Sequence, residues 1–383
     1  MQIHTVREGE SIFHIARQYN TSALTIITNN ALSHPDRLVV GEELLILMPT
    51  RTHRVRGTET LTEIATRYEI RPSELIRNNP DLRLRPSVRP GQLLVLKYPP
   101  PKGGMSAGLG YVRGASKEAL DLALPYLSYF VFDSCHVGAR GDVHMEKAMH
   151  LEYVLKKKKT PLLRIDAEGI SPSLSTMESV AEAAIREGYY GLVLGDGILT
   201  HMLRSERDAY LLAVRRIMLG KGLILFVEGD LECDFGDYAD GNILLPHAMW
   251  RGDMMTDRRF DLMEKTYESA KTFLGLPSKC TDGNEEISYA KMREIGYKCK
   301  AVIKSEENGS GTLSYRRYRC GVSEERRIRI PTPEYLSRLI GYLCEYGMMG
   351  AALYIEDVPT FLWMLLHTSL WEADYALSLL SYR

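Results

Sequence analysis

Close cysteine pairs are missing from this 383-residue chain. Its six cysteines, Cys135, Cys233, Cys280, Cys299, Cys320 and Cys344, are scattered, and no Cys/His cluster has the spacing of a zinc site. That pattern calls for neither a disulfide framework nor a metal. Free thiols made in a reducing compartment are expected, with no metal and no other cofactor. An excess of one charge is also lacking. The chain has 48 basic and 49 acidic residues and a net charge of -1, so composition points to neither nucleic acid nor a membrane surface. The dense basic run at 156–159 reads as a solvated helix end before Pro161, where cations suit the terminus. No apolar run is longer than a strand, so no transmembrane helix is expected. The opening MQIHTV has no basic segment leading into an apolar one, so no secretory signal is expected.

What is present first is a repeat. HTVREGESIFHIARQYNTSALTIITNN and HRVRGTETLTEIATRYEIRPSELIRNN align at an offset of 49, pairing His4 with His53, Tyr19 with Tyr68 and Asn29-Asn30 with Asn78-Asn79. Each copy closes on a glycine before a short apolar strand, Gly41 before LLILMP and Gly91 before LLVLKYP. Ser11 and Thr60 are placed to cap a helix, and Ile12, Ile15, Ala16 and Tyr19 recur at helical spacing. The expected unit is βααβ, of about 45 residues, small for an independent core.

Both copies resemble LysM modules over their whole length. The resemblance implies a shallow groove for polymers of N-acetylglucosamine type, peptidoglycan above all. By resemblance the groove comprises Gly9, Glu10, Ser11, Ile12, Asn30 and Leu32, and in the second copy Thr58, Glu59, Thr60, Leu61, Asn79 and Leu82. Helix capping alone is the competing account of Ser11, Thr60 and the asparagines. Thr58 stands where the first copy has Gly9, a change expected to narrow the turn or weaken that groove.

YPPPKGGMS then marks a boundary. The expected organisation is a module over 1–50, a second over 51–98, a linker over 99–106 and a domain over 107–383. In that domain apolar strands alternate with helical stretches. Strands are expected at 107–112, 129–132, 162–165, 191–194, 223–227, 242–245, near 279–281, and at 351–355. Helical periodicity covers 176–187, 204–219, 257–274 and 332–346. This alternation predicts an α/β fold, a TIM-type (β/α)₈ barrel, with a small α+β insertion at about 287–330. A rival count takes 299–303 as the seventh strand.

Paired LysM modules before such a barrel resemble spore-associated, cortex-lytic glycosidases of glycoside hydrolase family 18. GYYGLVLGDG occupies the place of that family's fourth-strand motif D-G-x-x-x-D-x-E. By resemblance the motif's glutamate is the general acid, and its preceding aspartate steadies the substrate's own acetamido group. Here Gly195 falls on that aspartate and Gly197 on the glutamate, with Asp196 between them. The sixth-strand Tyr and Asp correspond to His247 and Ala248, and the last-strand Trp to Tyr354.

Acids remain where barrel active sites form: Asp133, Asp166, Glu168, Asp196, Glu228, Asp230, Glu356 and Asp357. Asp196, Glu228, Glu168 and Glu356 are the candidates for a relocated acid, against the plainer account of solvated rim carboxylates. His136, His144, Asp133 and Asp142 are too loosely spaced for a metal site, and GDG at 195–197 lacks the Lys-Ser/Thr of a phosphate loop. Trp250 and Tyr354 are the candidates for sugar stacking, with Tyr189 and Tyr190 as further aromatics, and Trp363 is expected in the core. The expected function is peptidoglycan binding by a barrel that has lost the usual motif. Alternatives are an active cortex N-acetylglucosaminidase and a structural spore-coat protein. The expected location is the spore coat or cortex, or otherwise the cell wall. The expected partners are N-acetylglucosamine polymer and spore-coat proteins, not nucleic acid or membrane.

Overall fold

The computed structural model describes residues 1–82, 87–99, 106–167, 169–229, 237–245, 269–319 and 322–370. The chain divides into two compact units. One comprises Met1–Gly103, Pro277–Gly341 and Asp357–Trp371, the other Gly104–Leu276, Tyr342–Glu356 and Glu372–Arg383.

In the first unit the two repeats fold alike. Strand β1 (Gln2–Thr5) pairs antiparallel with β2 (Glu43–Ile46) around helices Ile12–Gln18 and Ala23–Asn29. Strand β3 (Arg51–Arg54) pairs with β4 (Leu93–Lys97) around helices Leu61–Arg67 and Pro72–Asn78. The caps read from sequence are present. Ser11 accepts from the His14 N–H, and Thr60 forms a reciprocal capping box with Glu63. Ile12, Ile15, Ala16 and Ile26 close on Leu44 and Ile46 as one small core, and Ile64, Ala65 and Leu75 close on Leu94 and Leu96 as another.

The second unit is a closed barrel of eight parallel strands. In barrel order they are β5 (Ala107–Tyr111), β6 (Tyr129–Val137), β8 (Thr160–Ala167), β9 (Gly191–Leu194), β10 (Ile224–Gly229), β11 (Gly241–Leu244), β12 (Thr272–Gly275) and β18 (Gly350–Tyr354). Pairing of β5 with β6 closes it, and β7 (Val143–Met145) adds an antiparallel edge to β6. Alternate residues fill the interior, among them Leu109, Val131, Leu162, Val193, Phe226, Ile243, Phe273 and Ala352. The same parity carries Tyr111, Asp133, Arg164, Glu228 and Tyr354 to the C-terminal mouth.

The seventh strand corrects the sequence reading. Thr272–Gly275 overlaps the end of the stretch read as helical, 257–274, and its three non-glycine residues are all buried. Four buried residues carry no period of their own, so the preceding helical pattern ran over them. Cys280–Asp282 (β13) belongs instead to the inserted lobe, with Glu285–Ile287 (β14), Ile303–Ser305 (β15), Gly311–Arg319 (β16) and Val322–Ile330 (β17). Together they form one antiparallel sheet ordered β14-β13-β17-β16-β15. Helix Tyr289–Cys299 packs on it. The rival seventh strand, 299–303, leads into β15, an edge strand of this sheet.

Candidate functional site

Several groove residues named from sequence are structural. Asn30 and Asn79 are buried, at 0% and 4% exposure. The Asn30 amide donates to the Ile26 and Leu45 carbonyls and accepts from the Leu45 N–H, at 2.9, 2.9 and 2.7 Å. Asn79 repeats the arrangement on Leu75 and Val95 at 2.8 Å throughout. Each amide plays the part of a missing third strand along the outer edge of a two-stranded sheet. Ile12, Leu32 and Leu82 are buried in the module cores, so their side chains present little surface to a sugar. Glu10 and Glu59 are also engaged locally. Glu10 accepts from the His4 ring at 2.9 Å and the Arg7 N–H at 2.7 Å, and His4 reaches Tyr19. His53, Glu59, Arg56 and Tyr68 form the same clamp in the second module, joined there by Arg67. The repeated His, Glu and Tyr were visible in the alignment, and their common offset was the signal for this clamp.

The Gly9-to-Thr58 difference has a compensation. Both turns close with a backbone bond from residue four to residue one, Glu10 to Arg7 and Glu59 to Arg56. In the first module Gly9 carries the positive φ, +79°, at the third turn position. In the second, Gly57 carries it, +53°, at the second position. The turn is kept, but its left-handed residue has moved one place.

Hydrogen bonds from the Arg56 N–H, His53 and Arg67 hold the Glu59 carboxyl down to about 2 from the usual 4.5. A depressed folded-state value contributes stability that is present above the ordinary carboxylate range and is lost as the pH falls through about 2. The second module is therefore expected to lose stability progressively from about pH 4.5 downwards. Melting curves across that range should show this limb in the parent chain and a flattened one in Glu59→Gln.

At the barrel mouth the central group is Arg164, which sequence reasoning passed over. Its guanidinium grips Glu228 with two prongs, Nε to Oε1 at 2.8 Å and Nη2 to Oε2 at 2.9 Å. Nη1 reaches Asp133 at 3.1 Å and Asp166 at 3.2 Å. The Tyr111 hydroxyl donates to Glu228 at 2.8 Å, and the Asp196 N–H lies 3.4 Å from it. The Glu228 side chain has no exposed surface. Burial pushes its carboxyl above the ordinary value, opposed by the hydrogen bonds and charge of Arg164. Burial also works against the charge of Arg164, but Glu228, Asp133 and Asp166 hold it above its ordinary value. A guanidinium keeps its proton in a protein and needs acceptors for its N–H groups, so the geometry favours the carboxylate form of Glu228. A lone arginine between apolar residues, LLRID, was the available signal, since an inward cation on a barrel strand needs a buried acid.

The remaining candidates do not converge. Asp196 begins a 3₁₀ turn, and its carboxylate accepts from the Gly197 N–H at 2.9 Å. Glu356 is exposed in a turn beyond β18, and Asp357 pairs with Lys279. Tyr354 packs on Tyr111 with ring centres 5.1 Å apart, which leaves it half-buried. Tyr189 and Trp363 are core residues, and Tyr190 is exposed. Glu168, Asp230, His247, Ala248 and Trp250 lie outside the described residues. His144 faces His136 across the β6–β7 pair and bonds Asp142, and among the described residues no cluster of three ligands suits a metal.

This architecture is that of two small βααβ modules and a (β/α)₈ barrel that carries an inserted α+β lobe. The LysM domain model matches residues 4–47 and 53–97, so the chain carries two LysM domains, a module class that binds peptidoglycan and related N-acetylglucosamine polymers. An endolysin of Bacillus phage B103 is 27% identical over 99 residues, 24% of this chain, and the chain spans 38% of that endolysin's length. The spore cortex-lytic enzyme SleL of Bacillus megaterium QM B1551 has the same fold at 16% identity, with a TM-score of 0.71 over 97% of this chain and 98% of that one. A chitinase from Chromobacterium violaceum ATCC 12472 shares the barrel, with a TM-score of 0.56 and 15% identity over 69% of this chain and 98% of that one.

Proposed function

We propose that this protein binds peptidoglycan through its LysM domains and that its family-18-like barrel is a non-hydrolytic surface, deployed on the spore. One observation carries the reading. Val193 belongs to the barrel interior, so Gly195, two places on, continues the inward face where the related glycosidases keep an acid. A Cβ built on Gly195 would lie 3.0 Å from Arg164 Nη2 and 3.1 Å from Asp166 Oδ1. The space a side chain would need at Gly195, in the place of the motif's aspartate, is taken by a guanidinium and its partner, and Gly197, in the place of the general acid, carries no side chain. Glu228, the nearest buried acid, is held by that same guanidinium and has no surface to offer a glycosidic oxygen. Two weak LysM sites on one polymer reinforce each other through effective concentration. Spore deployment is supported by the likeness to a cortex-lytic fold.

The second reading is a glycosidase with Glu228 as acid, favoured by the upward push of burial on that carboxyl. Incubation of the full chain with cortex peptidoglycan separates the two. The expected result is co-sedimentation with the polymer and no release of reducing ends above the protein-free blank. Release that disappears in Glu228→Gln or Asp196→Asn would establish the glycosidase.

A further inference from the structure

The inserted lobe reaches the first LysM domain within the same compact unit. Arg293, on helix Tyr289–Cys299, donates to the Asn30 and Ala31 carbonyls at 3.1 Å each and pairs with buried Glu42 at 2.5 Å. The Ile303 N–H bonds the Val40 carbonyl, and Gly41 packs so closely that a Cβ there would lie 2.0 Å from the Ile303 carbonyl oxygen. The loop after the module's second helix is thus fixed by the lobe. Beside these contacts lies a cavity of about 520 Å³, within the range of small-ligand sites. On the module side it is lined by Leu32, His34 and Arg37, and on the lobe side by Tyr297 and Lys298 among others.

Its chemistry differs from that of a neutral sugar groove. Arg37, Lys291, Arg293 and Lys298 line it against a single acid, Glu294. Glu294 pairs with both Lys291 and Lys298, Glu42 answers Arg293 and Asp36 lies 3.6 Å from Arg37, so the four cations meet three acids and keep an excess of one positive charge. Tyr297 is 47% exposed, and the Arg37 guanidinium lies over its ring, 5.4 Å from the centre, so an aromatic ring and a cation from the two sides meet at the cavity. Its module wall, Leu32 to Arg37, is the loop after the second helix, the loop that by resemblance borders the glycan groove.

We infer that this cavity is a second subsite of the first LysM domain, built jointly with the inserted lobe, for a carboxylate-bearing amino sugar of the glycan. The inference rests on the glycan-binding reading and sharpens it. The groove takes the neutral N-acetylglucosamine unit and the basic cavity takes its acidic neighbour, so the protein separates bacterial wall glycan from chitin. The carboxylate is either that of the sugar's own lactyl ether or that of an attached peptide.

The test uses the full chain and four probes: chitohexaose, intact sacculi, sacculi with carboxyl groups amidated, and glycan strands stripped of peptide. The parent protein should bind intact sacculi about tenfold more tightly than amidated ones, the scale of one charge-assisted contact. Stripped strands that keep the preference assign it to the lactyl carboxylate, and stripped strands that lose it assign it to the peptide. Arg37 and Lys298 have half or more of their side chains exposed, so the double variant Arg37→Ser/Lys298→Ser should keep its melting temperature. It should lose the preference while binding chitohexaose as before. Equal binding of intact and amidated sacculi by the parent, or a preference that survives in the double variant, overturns the subsite. Failure to bind chitohexaose and every wall preparation overturns the glycan-binding reading itself.

Discussion

Replacing Arg164 with methionine is expected to destabilise the barrel by about 3–5 kcal/mol, the usual cost of leaving one member of a buried ion pair without its partner. Arg164 is 13% exposed and Glu228 not at all, so water cannot take over the contact that Glu228 loses. Three carboxylates, those of Glu228, Asp133 and Asp166, would then converge on an apolar side chain. Denaturant unfolding should show an earlier transition. The pH dependence has a definite sign. With its cation gone, burial outweighs the remaining hydrogen bond from Tyr111 and raises the folded-state value of Glu228, so the unfolded chain is the better acid. The variant should therefore lose stability as the pH rises above the ordinary carboxylate range, and recover as the pH falls below it.

The same residue distinguishes a lock from a catalytic device. In a lock, Arg164→Met with Glu228→Leu should recover a large part of the loss, because an apolar pair of similar volume often replaces a buried ion pair at little cost. Tyr111 and the Asp196 N–H would then need other acceptors, so recovery is expected to be incomplete. In a catalytic device, Glu228→Gln would change stability modestly and remove turnover.

The modules were legible because their information is local and doubled. An offset of 49 fixed the helices, the caps at Ser11 and Thr60, and the closing strands, and the two chain segments then folded as read. In the barrel, β9 fell at 191–194 as expected because its apolar run ends in a Gly-Asp-Gly turn. β12 was hidden because Thr272–Gly275 continues an apolar rhythm from the residues before it. The site was less legible than the fold. Local pattern names Asn30 and Glu10 as conspicuous polar residues, but only tertiary structure shows that one serves as a substitute strand and the other as a clamp on His4. The Arg164–Glu228 pair joins residues 64 apart, and the parity that turns both inward appears only once the strands are closed into a ring.

The asparagine locks carry the second large effect. Asn30→Ala should destabilise the first module by about 2–4 kcal/mol, since it leaves the buried Leu45 N–H and C=O without partners, each worth roughly 1–3 kcal/mol. The Ile26 carbonyl keeps the Asn30 main-chain N–H and loses less. Asn30→Asp is the sharper test. It preserves shape, but sets a carboxylate oxygen against the Leu45 and Ile26 carbonyls where an NH₂ stood. It should therefore exceed the alanine variant in cost, whereas a residue that merely contacted glycan would tolerate either change without unfolding. Hydrogen exchange at the Leu45 amide reads the difference directly: protection should collapse in both variants and persist at Val95, whose partner Asn79 is untouched. A module with so small a core has little stability in reserve. Its loss should halve the stoichiometry for a short N-acetylglucosamine oligomer, while affinity for the long polymer falls by about 10²-fold or more as the second point of attachment disappears.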